Sequence, residues 1–162
     1  MTNPLPRLRL LQPTSVEAAV AAHAGCAESR YLAGGTDLLV NIRHGLLAPP
    51  ALVDIGGIAE LGDWRCAGGA IRIGPLVRLA RLAEDPAVGV QHAALRDAAA
   101  AVAAPGHRNL ATIGGNLCAD TRCIYFNQSA WWRGAYGACL KSGGGICHVA
   151  PEGQRCHAAF SG

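Results

Sequence analysis

Positions that favour one helical face come first. Val16, Ala19, Val20 and His23 share such a face, and Thr14-x-x-Glu17 fits a capping box in front of it, with Gly25 as the stop. The period then shortens. Residues 30–33 read as a strand, Gly34-Gly35-Thr36 as a turn, and 37–47 as a short helix capped by Thr36 or Asp37. Pro49-Pro50 breaks the chain, and 51–55 form a second strand ended by Gly56-Gly57. Residues 1–57 therefore make a first unit of βαβ character.

Residues 58–162 change rhythm. Segments 61–67 and 70–73 predict a hairpin around Gly68-Gly69. Residues 76–83 predict a helix stopped by Asp85-Pro86. The Ala-rich run 88–103 predicts another, stopped by Pro105-Gly106. Beyond Asn116 neither period persists. Residues 118–160 carry Trp131-Trp132 and Gly143-Gly144-Gly145, and a segment so long and irregular is not expected to fold by apolar burial alone. A bound metal would supply the missing organisation. No internal repeat or low-complexity linker occurs. Phe160-Ser161-Gly162 has no stop signal of its own, so the chain reads as truncated.

Composition narrows the function. The 162 residues suffice for a domain with a real core, and with few aromatics that core must come from Ala, Leu, Val and Ile. A net charge of +3 without a basic run argues against nucleic-acid binding. No apolar run approaches the roughly 20 residues that cross a bilayer, so no membrane span is expected. The stretch from Met1 to Pro13 lacks a signal-peptide core, which points to a cytoplasmic protein. Seven cysteines are an odd count and oppose a closed disulfide framework.

Two patterns carry candidate chemistry. Gly34-Gly35 and Gly114-Gly115 each have a threonine beside them, Thr36 and Thr112. Exposed backbone N–H groups at such turns suit a phosphate, and two turns together could pinch one pyrophosphate. Neither matches a dinucleotide fingerprint or a P-loop, so each alone also reads as an ordinary turn. Cys123, Cys139, Cys147 and Cys156 are separated by 15, 7 and 8 residues. Four thiolates suit zinc or an iron–sulfur cluster, although the spacing fits neither the usual zinc nor the bacterial ferredoxin pattern, and free thiols remain an alternative. Cys26 and Cys66 read as core or free cysteines, and Cys118 is ambiguous. His148 and His157 each follow a cysteine, as alternative ligands, nearby donors or packed residues. His23, His44 and His92 read as helix-surface positions. Trp131-Trp132-Arg133 is either a cover for a cofactor or an apolar anchor for a long loop. No nucleophilic triad or carboxylate pair stands out, and no catalytic residue is assigned.

These residues resemble a known family. Tyr31-Leu-Ala-Gly-Gly-Thr-Asp-Leu-Leu39 and Arg108-Asn-Leu-Ala-Thr-Ile-Gly-Gly-Asn-Leu117 resemble the two flavin-binding loops of the FAD subunits of molybdenum hydroxylases, the xanthine and carbon monoxide dehydrogenase superfamily. The run from Cys118 to Arg133, with Cys139-Leu-Lys, Cys147-His-Val-Ala-Pro and Cys156-His-Ala-Ala-Phe-Ser-Gly, is similar to the β subunit of 4-hydroxybenzoyl-CoA reductases. The first two motifs are shared across the superfamily, and the cysteine insertion points to the reductase branch.

The resemblance implies an α+β fold: the two N-terminal subdomains of a vanillyl-alcohol-oxidase-like (PCMH-type) FAD-binding domain, 1–57 and 58–162, with an irregular insertion at about 118–160. It implies FAD at Ala33, Gly34, Gly35, Thr36, Asp37 and Leu38 and at Thr112, Ile113, Gly114, Gly115 and Asn116. It implies a 4Fe–4S cluster on Cys123, Cys139, Cys147 and Cys156, with Cys118 left to the flavin loop. The implied partners are a molybdenum-cofactor large subunit, a 2Fe–2S small subunit and ferredoxin as electron donor, in a dimer of heterotrimers. The implied role is an electron relay for the reductive dehydroxylation of 4-hydroxybenzoyl-CoA to benzoyl-CoA. The family continues for well over a hundred residues past the end of this chain. Alternatives are the FAD subunit of a xanthine- or carbon monoxide dehydrogenase-type hydroxylase, and a non-enzymatic zinc-binding interaction module.

Overall fold

The computed structural model describes residues 5–160; Met1 to Pro4 and the Ser161-Gly162 end of the last cysteine motif lie outside the described residues. Packing divides the chain into two compact units. A scaffold unit takes Arg7–Leu38 and Pro49–Ala119; a cysteine unit takes 5–6, 39–48 and 120–160. The sequence division at residue 57 falls inside the scaffold unit.

The scaffold unit begins with β1 (Arg9–Leu11), α1 (Val16–Ala24), β2 (Arg30–Leu32) and, after α2 (Leu38–Arg43), β3 (Ala51–Asp54). The strands form a parallel sheet in the order β1-β3-β2. Central β3 is an unbroken apolar run, Ala51-Leu52-Val53, because a strand covered on both faces has no polar side to show. Its neighbour β1 escapes the sequence reading: three residues, two of them exposed, give no alternation to detect. The cap of α1 is Ser15 and not Thr14. Ser15 Oγ accepts from Ala18 N at 3.1 Å, one residue later than the capping box predicts. Ala19 of α1 packs with Val53 and Ile58 in a first buried cluster.

The hairpin forms as expected from β4 (Trp64–Ala67) and β5 (Ala70–Ile73), with Cys66 paired opposite Ile71. Gly68 and Gly69 both have positive φ, 58° and 78°, the backbone that a two-residue hairpin turn demands. The expectation that Cys66 is a core or free thiol concerns a side chain outside the described set.

The helices that follow correct the sequence reading. Proline marks helix starts here. α3 (Leu79–Glu84) ends at Asp85, and the Asp85 carboxylate accepts from Ala87 N at 2.8 Å and Val88 N at 3.3 Å to open α4 (Pro86–Gln91). The single helix expected over 88–103 is broken at His92, whose φ of −137° leaves the helical region, and resumes as α5 (Ala93–Ala101). Pro105 lies in the first turn of α6 (Pro105–Arg108), where its missing N–H costs nothing. Val77, Leu79, Leu82, Val88 and Ala99 form the second buried cluster, and Ile73, Ala111 and Ile113 pack against it.

In the cysteine unit, α2 covers six residues where 37–47 was expected, and the chain leaves it through Gly45 at φ 65°. Ser129 Oγ accepts from Trp132 N at 3.3 Å and caps α8 (Ala130–Tyr136), an element that sequence periodicity does not show. Arg133 ties α8 to the end of α2: its guanidinium donates to His44 O and Gly45 O, both at 3.0 Å. The rest is a 3₁₀ turn at Leu140–Ser142 and isolated bridges, Arg122 with Ala159 and Cys139 with Ile146.

Candidate cofactor sites

The first candidate site lies in the scaffold unit. Strand β2 delivers Ala33-Gly34-Gly35-Thr36-Asp37 directly after Leu32, and Leu38 opens α2. The two glycines serve different ends. Gly35 has φ 70°, a conformation that disfavours any side chain. Gly34 instead gives room: a Cβ there would stand 2.0 Å from Leu110 O and 2.8 Å from Leu110 C. The first turn thus rests with bare backbone on the residues that lead into the second. Among the described residues no protein group accepts from the N–H groups of Gly34, Gly35 or Thr36.

The second turn is built differently. Thr112 is buried and is the N-cap of α7 (Ile113–Leu117), its Oγ1 accepting from Gly115 N at 3.2 Å. Ile113 N donates to Val77 O, Gly114 N to Pro75 O and Asn116 N to Thr112 O, all at 2.9 Å. A Cβ on Gly114 would meet Pro75 Cβ at 2.6 Å. The second glycine pair is therefore a packing device as well as a turn, and its N–H groups are satisfied within the fold. The open donors belong to the first turn. Sequence spacing identifies both turns but does not reveal this asymmetry.

The second candidate site lies in the cysteine unit. Cys123, Cys139, Cys147 and Cys156 line one narrow cavity of about 10 Å³, with His148, His157 and Lys141 also among its lining residues. Cys118 is exposed and does not line it; Cys26 is buried and accepts from Arg9 Nη2 at 3.0 Å. Backbone donors converge on the sulfurs. The N–H groups of Ala150, His157 and Val149 serve Cys147 and draw its thiol below the ordinary range. Burial works to raise the Cys139 thiol, but the Ser142 hydroxyl and the N–H groups of Ser142 and Lys141 outweigh it and lower the thiol. Ala158 N donates to Cys156 Sγ at 3.4 Å, and Asn127 Oδ1 accepts from Cys123 N at 2.9 Å. Donors aimed at sulfur stabilise thiolate, the form that binds metal.

Among the described residues no three His, Cys, Asp or Glu side chains converge closely enough to hold one metal ion. A tetrahedral zinc site, with Zn–S near 2.3 Å, brings its sulfurs to within roughly 3.8 Å of one another. The four cysteines instead share one cavity lining, with N–H donors behind Cys139, Cys147 and Cys156.

Aromatic residues flank the cavity. Tyr125 lies 5.6 Å from His148, 5.7 Å from Tyr136 and 6.1 Å from Trp132 between ring centroids. Trp132 is thus an anchor of the loop, whereas Trp131 is 84% exposed. His148 Nε2 stands 3.2 Å from Gly137 O. The other histidines correct the sequence reading. His23 is not a plain surface residue: its Nδ1 meets Ser29 Oγ at 2.7 Å and its ring stacks on Tyr31. In His44 the Nδ1 atom, and in His92 the Nε2 atom, is buried without a hydrogen-bond partner.

The sheet, the paired glycine turns and the sequence together define the class. Residues 6–140 match the FAD-binding domain of molybdopterin dehydrogenases, and the chain belongs to that family. It is 38% identical over 117 residues to the aldehyde oxidoreductase FAD-binding subunit PaoB of Escherichia coli (strain K12), a match that covers 70% of this chain and 35% of that protein. It is 32% identical over 113 residues to the nicotine 6-hydroxylase medium subunit of Paenarthrobacter nicotinovorans, covering 70% of this chain and 40% of the relative. Among solved structures, carbon monoxide dehydrogenase from Hydrogenophaga pseudoflava superimposes with a TM-score of 0.68 at 34% identity, over 70% of this chain and 40% of that one. The chain thus spans well under half the length of these relatives. Among the described residues no helix is long and apolar enough to cross a membrane.

Proposed function

We propose that this chain is an electron-transfer subunit that holds FAD at its two glycine turns and a 4Fe–4S cluster at its four cavity cysteines. The observation that carries this reading is the sorting of the cysteines. Cys123, Cys139, Cys147 and Cys156 line one cavity, and Cys118, only five positions before Cys123, is left outside it. For the flavin, the open N–H groups of Gly34, Gly35 and Thr36 would receive the pyrophosphate. Thr112, Ile113, Gly114, Gly115 and Asn116 would form the opposing wall, fixed by their own internal hydrogen bonds. The bound groups would supply coupling of two-electron to one-electron chemistry. The chain's task would be to hold them and, through the donors aimed at Cys139, Cys147 and Cys156, to set their electrostatics.

With the resemblance to 4-hydroxybenzoyl-CoA reductase β subunits, this supports a molybdenum-containing reductase. A molybdenum large subunit and a 2Fe–2S small subunit would complete it, in a dimer of heterotrimers, and a ferredoxin-type donor would feed it. The location is proposed as cytoplasmic. A second reading is the FAD subunit of a molybdenum hydroxylase, favoured by the names of the relatives above. Metal and acid-labile sulfide analysis of anaerobically purified protein separates them. About four iron and four sulfide per chain support the reductase reading. Flavin without iron supports the hydroxylase reading. One zinc without sulfide overturns both in favour of a zinc module.

A further inference from the structure

The chain that leads into the second glycine turn starts from a strained corner. Ala103, just past the end of α5, has φ 44°; it and Glu28 are the non-glycine residues at positive φ among those described. A left-handed residue often ends a helix, but it is usually glycine, because an L side chain is strained there. Ala103 is exposed, so packing of its own side chain does not hold it. Arg108 does. One guanidinium nitrogen, Nη1, donates to Val102 O at 3.1 Å and to Ala103 O at 2.9 Å. These carbonyls stand at the C-terminal end of α5, where a cation is favoured. The intervening α6 has only four residues, and Ala104 gives it no side-chain cap. The Arg108 clamp is thus a side-chain tie across the whole corner.

The corner runs straight to the flavin turns. Leu110 N and Ala111 N both donate to His107 O, at 3.0 and 2.7 Å, so the chain past α6 is bonded back onto it. Gly34 rests on the carbonyl of that same Leu110: a Cβ at Gly34 would stand 2.0 Å from Leu110 O. Ala111 O accepts from Leu79 N at 3.0 Å, and Thr112 follows as the cap of α7. A shift of α6 that reaches Leu110 must therefore push or release Gly34, and with it the open N–H groups of the first turn.

We propose that Arg108 is a positioning residue of the flavin site: it clamps Ala103 in the left-handed conformation and so fixes Leu110, the seat of Gly34. This rests on the reading that FAD lies at the two glycine turns. No contact with the flavin is assigned to Arg108.

The test measures the FAD dissociation constant of the full chain by quenching of flavin fluorescence, with a denaturant unfolding curve on each FAD-free sample. Arg108→Met keeps the length of the side chain and removes its donors. It should weaken FAD binding about tenfold, the worth of roughly one hydrogen bond to a charged group. Adding Ala103→Gly should restore most of the affinity, since glycine adopts the left-handed conformation without a clamp. Arg108→Lys should stay closer to wild type than Arg108→Met, because one nitrogen serves both carbonyls. Ala103→Val, at an exposed position and with Arg108 intact, should weaken FAD as Arg108→Met does. A merely structural arginine would lower the unfolding midpoint of Arg108→Met and leave the FAD constant of the folded protein unchanged. That result overturns the proposal, as does a double variant that binds no better than Arg108→Met alone. Should Arg108→Met not fold, Ala103→Val decides: weakened binding supports the clamp, and wild-type affinity overturns it. Wild-type chain that binds no FAD, or Gly34→Val that binds it as tightly as wild type, overturns the flavin placement beneath the proposal.

Discussion

The two units of this chain are held together by different physics. In the scaffold unit, Val53, Ile58, Leu79, Leu82 and Val88 are fully buried in two apolar clusters beneath regular strands and helices. In the cysteine unit, the buried hydrophobic residues among those described are Ile42 and Cys147. Its order comes instead from polar ties: Arg133 to two carbonyls at the end of α2, Lys141 to Thr121 and Asp120, and backbone N–H groups to sulfur. A segment with so little apolar burial gains little from the hydrophobic effect. The difference teaches that one unit is specified by its apolar pattern and the other by polar ties, and under the proposed function the latter are completed by a bound centre.

Removing that centre should break the comparison most visibly. Structural metal can supply on the order of 10 kcal/mol, judging from zinc sites. Iron-depleted protein should be nicked within residues 120–160 by limited proteolysis, while the scaffold unit resists. Equal resistance with and without iron would mean that packing alone orders the cysteine unit.

The converse break lies in the scaffold. Leu82→Ala opens a cavity in the second cluster and should cost about 2–5 kcal/mol in denaturant unfolding. The iron content of the folded protein should stay at the wild-type level. Iron loss in step with that destabilisation would show that the two units are not energetically separate.

Gly34→Val tests the contact between the turns. Its branched side chain must displace Leu110 O, an overpacking expected to cost roughly 1–3 kcal/mol. FAD retained after gel filtration should fall sharply, and iron should be unaffected. Unchanged flavin content would remove the first turn from the site.

The smallest effect sharpens the picture within the cysteine unit. Ser129→Ala removes the cap of α8 and should cost about 1 kcal/mol. It should speed proteolysis near Trp131 without altering flavin content.

Legibility followed the same divide. Strands β2 and β3, the hairpin and the turn at Gly68-Gly69 were readable because short apolar runs and glycine or proline punctuation are local signals. Strand β1 was not, since Arg9–Leu11 is too short to show a period. Asp85-Pro86 does stop α3 as expected, but the sequence reading missed that Pro86 and Pro105 also open helices, since a proline after a capping position opens a helix as readily as it ends one. In the cysteine unit the motif positions were readable and the geometry was not. No pattern in the sequence indicates that Lys141 is tied to Thr121 and Asp120, or that the second glycine pair spends its N–H groups on Pro75 and Thr112.

The central claim is the sorting of the cysteines, and a serine scan tests it most directly. Cys123→Ser, Cys139→Ser, Cys147→Ser and Cys156→Ser should each lose the 4Fe–4S signal in electron paramagnetic resonance of anaerobic protein, or convert it to a three-iron form. Cys26→Ser, Cys66→Ser and Cys118→Ser should keep it. Loss of the signal in Cys118→Ser together with its survival in Cys123→Ser would contradict the account.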